Sequence, residues 1–223
     1  PCFTIAQKLN LMEVADHSGR TAIFCVSTTG CFETVKTLLK DFSTKEKWQL
    51  ISMQDNIGQT PLFNVASEQY GDTMKTLLGD LTAEQQRKLI YLQDRNGQTL
   101  FHSACVKGIS LKMVMSSLRG TVNNEILAKL LLIRDNKQST ALHIAAENHS
   151  FELVLWCKDN FHSELLIKLL GFQDSEGQTL FHIVSTKDKA DFIASFFDSL
   201  CSIVDLNTVA EFLAIQDKKQ RTA

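Results

Sequence analysis

The chain has 223 residues, 44% apolar and 22% charged, which is the composition of a globular protein with a buried core and not that of a disordered chain. Lys plus Arg number 23 against 25 Asp plus Glu, so a net charge of -2 provides no field to recruit a polyanion, and neither nucleic acid nor an anionic membrane is an expected partner. The longest apolar runs, such as LLLI at 130–133, fall far short of the about 20 residues that cross a bilayer, so no transmembrane segment is predicted.

The first residues, PCFTIAQKLN, show no basic-then-apolar pattern, and no secretory signal is expected. Six cysteines (Cys2, Cys25, Cys31, Cys105, Cys157, Cys201) form neither a CxxC pair nor a disulfide-scaffold spacing. They read as reduced thiols in a cytosolic setting, most of them small buried hydrophobes, and no zinc site is expected because metal ligands usually arrive as close pairs.

From Asp16 the chain repeats itself. DHSGRTAIFCVS (Asp16), DNIGQTPLFNVA (Asp55), DRNGQTLFHSAC (Asp94), DNKQSTALHIAA (Asp135) and DSEGQTLFHIVS (Asp174) align without a gap, and DKKQRTA begins a sixth copy at Asp217. The Asp residues are 39, 39, 41, 39 and 43 apart, and each is followed five residues later by Thr. The predicted organisation is one repeat array over 1–223, with copies at 16–54, 55–93, 94–134, 135–173 and 174–216. Residues 217–223 open a truncated copy, and residues 1–15 read as the tail of a preceding one, so the chain is expected to be the middle of a longer array.

Within a copy, Asp and the Gly three residues on predict a tight turn with a positive-φ Gly. Gln138 and Gln220 take the Gly place in two copies, which predicts either strain or another turn type there. The Thr should cap a first helix, with Pro61 supplying the first helical residue in the second copy. Leu62, Val65 and Ala66 form one face of that helix, as do Leu142, Ala145 and Ala146. Small residues (Ser27, Ala66, Cys105, Ala146, Ser185) should let neighbouring first helices approach closely. A Gly or polar break, as at Gly30 and Gly108, precedes a second helix such as FETVKTLL (32–39) or FELVLWC (151–157). Apolar residues recur five, four and two places before each Asp, as at Leu50, Ile51 and Met53 or Leu11, Met12 and Val14. With a polar start such as Thr82, they predict a third, short helix in every copy, packed on its neighbour.

DRNGQTLFHSAC gathers an acid, a histidine, a serine and a cysteine, the residue types of a hydrolytic site. The histidine place (His102, His143, His182) is held by Phe24 and Phe63 in the first two copies, however, and a catalytic base cannot be replaced by Phe. The histidines therefore read as structural, Cys105 as a packing residue, and no catalytic residue is expected. GxGxxG, GKS/T and HExxH patterns are absent, so neither a cofactor nor a metal is expected. The sequon at Asn148 is read as chance. Trp48 and Trp156 lie outside any repeated slot and read as core, with Trp48 the candidate for an exposed contact.

D-x-x-G-x-T-x-L-H-x-A-A resembles the ankyrin repeat, whose T-P-L-H-x-A core stands here as TPLFNVA (60–66) and TALHIAA (140–146). The resemblance covers nearly the whole chain but departs in period, since the family's usual unit is about 33 residues. It implies an all-α solenoid of helix-turn-helix units with β-turn loops, here with an extra short helix per repeat. It also implies a protein-protein interaction scaffold that binds through turn residues and first-helix ends on the concave face. Carried over copy by copy, the partner-binding residues are Arg20, Asn56, Ile57, Glu68, Arg95, Asn96, Lys107, Asn136, Lys137, Glu147, Ser175 and Glu176. The expected partner is a protein, and the array is expected to be monomeric and cytoplasmic. The long Leu-rich third segments are similar to ankyrin arrays of intracellular bacteria and their host-directed effectors. That likeness implies an alternative: a targeting array, working in a host cytosol, for an enzyme or effector whose catalytic domain lies outside these residues.

Overall fold

The computed structural model describes residues 3–68, 70–106, 111–118, 120, 122–148, 152–186, 194 and 204–223. The fold is all-α: fifteen short helices and no strand occur among the described residues. The chain divides into two compact units, Pro1–Asn123 and Asn124–Ala223, the boundary falling inside the third copy just before its third helix.

In the first unit, α1 (Ile5–Met12) precedes three helices of the first copy, α2 (Ala22–Ser27), α3 (Phe32–Leu39) and α4 (Thr44–Ser52). The second copy supplies α5 (Pro61–Ser67), α6 (Gly71–Leu78) and α7 (Ala83–Tyr91), and the third supplies α8 (Leu100–Val106) and α9 (Leu111–Ser117). First helices pack on first helices, α2 on α5 and α5 on α8, while second helices pack in a parallel series, α3 on α6 and α6 on α9. The apolar face read from the second copy is the interface: Leu62, Val65 and Ala66 are all buried. Burial of a side chain the size of Leu62 or Val65 stabilises by about 1.5–3 kcal/mol before entropy is counted.

The second unit holds α10 (Asn124–Leu131), α11 (Ala141–Glu147), α12 (Glu152–Asn160), α13 (Ser163–Leu170), α14 (Leu180–Ser185) and α15 (Leu206–Ala214). Here α11 packs on α14, α12 on α13 and α14 on α15, where the Phe181 and Phe212 rings stack with centroids 5.1 Å apart.

The predicted third helix is present ahead of all six Asp residues, as α1, α4, α7, α10, α13 and α15. Capping starts several of them. Ser43 accepts from Glu46 N–H while Glu46 returns a carboxylate to Ser43 N–H, and Thr82 with Gln85 does the same. Of the three predicted apolar positions, the first two are inward (Leu50, Ile51, Leu89, Ile90, Leu130, Leu131, Leu169, Leu170 are buried). The third is half-exposed, because Met53, Leu92 and Ile215 are extended C-cap residues beyond the helical face. On α1 the sister residues differ, Leu11 being 56% and Val14 66% exposed. Third helices are pinned to the following copy by polar contacts, Lys8 to Asp41, Lys47 to Asp80, and Asn124 to Asn160 O.

Several details depart from the sequence reading. The Thr residues stand at N-cap positions with extended backbone, but the Thr21 and Thr60 hydroxyls make no cap bond and are buried without a partner. Ser185 is exposed and not a packing residue. Of the described cysteines, Cys105 and Cys157 are buried but Cys25 and Cys31 are exposed, Cys31 standing at the N-cap of α3. Gly30 holds φ +69°, and a Cβ there would meet the Tyr70 ring at 2.6 Å, so the break before α3 requires Gly. Gly108, Lys107, His149 and Phe151 lie outside the described residues.

Candidate partner-binding surface

Each copy enters its first helix through a five-residue finger organised by the repeated Asp. Asp55 Oδ1 accepts from Ile57 N–H at 3.0 Å and Gln59 N–H at 2.9 Å, and Gly58 N–H closes the turn on Asp55 O at 3.0 Å. The same three bonds recur at Asp16, Asp94, Asp135, Asp174 and Asp217. The turn type does not change where Gln replaces Gly: Gln138 and Gln220 adopt φ of 59° and 60°, so of the two alternatives it is strain that the structure carries.

Successive fingers are joined by backbone bonds. In the first unit Asn56 N–H donates to Ser18 O at 2.9 Å and Arg95 N–H to Ile57 O at 2.8 Å. In the second, Ser175 N–H donates to Lys137 O at 2.8 Å and Lys218 N–H to Glu176 O at 2.9 Å. The approach is close, since a Cβ at Gly58 would stand 3.0 Å from Arg95 N and one at Gly177 3.0 Å from Lys218 N, although the bond from Ser175 to Lys137 O forms beside Gln138 as well.

The residues singled out from the sequence fall into three groups. Ile57, Arg95 and Asn96 are exposed neighbours on the first unit's row; Asn136, Lys137 and Glu176 are exposed on the second's, with Ser175 half-buried beside them. At first-helix ends Glu147 is exposed and Glu68 half-buried. Arg20 and Asn56 serve the scaffold. The Arg20 guanidinium pairs with Asp16 at 3.1 Å, and Asn56 Nδ2 donates to His17 O at 2.8 Å. The Arg20 backbone N–H, followed by that of Ser18 and the guanidinium, holds the Asp16 carboxyl below its ordinary pKa. Arg221 repeats this on Asp217, and its side-chain and backbone donors bring that carboxyl down to about 2.

Beneath the fingers sit the histidines. Nδ1 of His102, His143 and His182 accepts from the N–H of Thr99, Thr140 and Thr179 at 3.1, 3.2 and 3.2 Å, and each Thr hydroxyl lies 2.9 Å from the same nitrogen. Nε2 then faces the following copy, His143 donating to Phe172 O at 3.1 Å and His182 to Arg221 O at 2.9 Å. In His143 and His182 both ring nitrogens are therefore committed, Nδ1 to the capping-position Thr and Nε2 to a backbone carbonyl, which leaves neither ring a free nitrogen. Cys105 is buried, and desolvation pushes its thiol up to about 12, so no thiolate forms at neutral pH. No group of three His, Cys, Asp or Glu poised for a metal occurs among the described residues.

A second feature was only partly legible in the sequence. A cleft of about 540 Å³ is lined by Trp48 of α4 and by Glu84, Arg87, Lys88 and Tyr91 of α7, with Leu92 at its end. Trp48 and Trp156 both stood off the repeat pattern, Trp48 as the candidate for an exposed contact; Arg87 and Tyr91 are unremarkable until the two helices are placed side by side. Trp156, by contrast, packs edge-on against Phe161 at 5.6 Å.

The chain matches no protein-family model and no curated protein.

Proposed function

We propose that the chain is an ankyrin-type helical repeat array whose function is to bind a partner protein through its finger tips and first-helix ends. One observation carries this reading: within each unit, the fingers are locked to one another through backbone hydrogen bonds, while exposed tip residues vary along the row, Ser18, Ile57 and Asn96 in the first unit and Lys137 and Glu176 in the second. A rigid row with variable tips lowers the ordering cost of binding and leaves specificity to side chains. The tips mix Ile57, Arg95 and Asn96 with Lys137 and Glu176, a composition suited to a protein surface and not to a polyanion. The commitment of the histidines and the inertness of Cys105 favour recognition over chemistry. Among the described residues no helix is long and apolar enough to cross a membrane, so a membrane-spanning role has no support from the helices.

The test is a combined variant, Ile57→Ala, Arg95→Ala, Asn96→Ala, Lys137→Ala and Glu176→Ala, compared with the unaltered protein in quantitative affinity capture. Asn56 and Arg20 are left in place because they hold the fingers. The captured partner should be lost from the variant while its thermal midpoint and helical circular dichroism are retained. Equal capture by a folded variant would refute the reading.

A further inference from the structure

The cleft between α4 and α7 belongs neither to the fingers nor to the first-helix ends, and its lining is not explained by the repeat. Trp48 stands seven residues before Asp55; the sister places hold Leu9, Arg87, Ala128, Ile167 and Ala210. Tyr91 stands three residues before Asp94, where the sisters are Glu13, Ser52, Leu132, Gly171 and Ala214. Neither aromatic is thus a requirement of the helix packing common to all copies. Trp48 is only half-buried and Tyr91 is 37% exposed, so both present ring surface to the cleft.

Charge on the lining is unequal. Glu84 is held by Lys88 at 2.8 Å and also feels the nearby Arg87 charge, but the exposed Arg87 side chain makes no hydrogen bond or close ion pair among the described residues, and the two cations outnumber the one carboxylate. The surplus is one guanidinium, whose planar fork fits a carboxylate in two parallel bonds. Trp, Tyr and Arg are also the residue types that most often dominate binding energy at protein interfaces, and a cleft of this volume admits one or two side chains.

We propose that the α4–α7 cleft docks a short peptide segment of a partner protein in which an apolar anchor is flanked by carboxylates. The anchor inserts between Trp48 and Tyr91 and an adjacent carboxylate pairs with Arg87. This surface is independent of the finger-tip row, so either can fail without the other.

The experiment pans a random displayed-peptide library against the protein, with Trp48→Ala and Arg87→Glu variants as counter-selections. The strongest enriched peptide is then synthesised and titrated against a Trp156→Phe background, in which Trp48 is the sole tryptophan reporter. The expected result is enrichment of peptides with Asp or Glu beside an aromatic or branched residue, and a saturable change in Trp48 emission. Arg87→Glu should weaken binding by about tenfold or more, and raised salt should weaken the unaltered protein in the same direction. Arg87 is exposed, so its substitution is expected to keep the fold, checked by circular dichroism, and the test holds even if Trp48→Ala proves unstable. Absence of enrichment, a consensus without acidic residues, or binding unmoved by Arg87→Glu would each overturn the proposal.

Discussion

Thr60 and Thr140 occupy the same place in their copies, with the Phe63 ring three residues after the one and the His143 ring three residues after the other. Where that ring is His143, the hydroxyl has a partner at 2.9 Å; where it is Phe63, the hydroxyl is buried and unpaired. A buried unpaired hydroxyl carries a desolvation cost of about 1–3 kcal/mol, whereas a paired one contributes roughly 1 kcal/mol. Thr140→Val should therefore lower stability by about 1 kcal/mol in urea unfolding, and Thr60→Val, equal in shape, should be neutral or stabilising. Gln138 offers a second contrast, since a non-glycine residue in the left-handed region costs about 1 kcal/mol. Gln138→Gly should raise unfolding stability by roughly 0.5–1 kcal/mol, and Gly58→Ala should lower it by more than that, since its Cβ would also meet Arg95 N. The Thr and His spacing was plain in the sequence. That the hydroxyl also faces the ring was not, because that depends on a side-chain rotation that no spacing encodes.

The third helices were legible because their signal is doubled, by an apolar pair at a fixed distance before each Asp and by a polar start. Ser43 shows what the start contributes: its reciprocal bonds with Glu46 open α4, so Ser43→Ala should cost about 1 kcal/mol in the same unfolding measurement. Coupling between helices of successive copies was less legible. His143 lies in α11, yet Nε2 donates to Phe172 O in the next copy's approach, with Asp174 and Arg134 the charged groups around it. Burial is the largest influence on its pKa and holds it below the ordinary value; Asp174 and the Phe172 carbonyl oppose, and Arg134 adds to the lowering. The unfolded chain therefore takes up this proton at a higher pH than the folded one. Stability from neutral His143 is complete above about pH 6.5 and drains as pH falls below it. Calorimetry between pH 7 and about 5 should show a falling midpoint, and His143→Phe should flatten the fall while lowering the midpoint at neutral pH. Asp217, with its carboxyl at about 2 in the fold, contributes its loss only below about pH 4 and stays outside that window.

Of the function, the sequence carried the skeleton and left the recognition surface open. It identified every finger, because the Asp, the positive-φ position and the Thr are fixed by backbone requirements that repeat with the period. It placed Arg20 and Asn56 among binding residues; both are exposed, and their side chains also close on Asp16 and on His17 O, contacts that arise only once neighbouring groups are in place. The Trp48–Tyr91 cleft was legible only through Trp48 for the complementary reason, since its lining comes from two helices about forty residues apart in the chain. On the proposed function, partner contact runs along the finger tips. A photoreactive amino acid placed in cells at Ile57 or Asn96, and in parallel at the exposed Lys36 on α3, probes that contact in place. Adducts to a partner protein from positions 57 and 96 but not from 36 are the predicted outcome; adducts from 36 with none from the tips would contradict it.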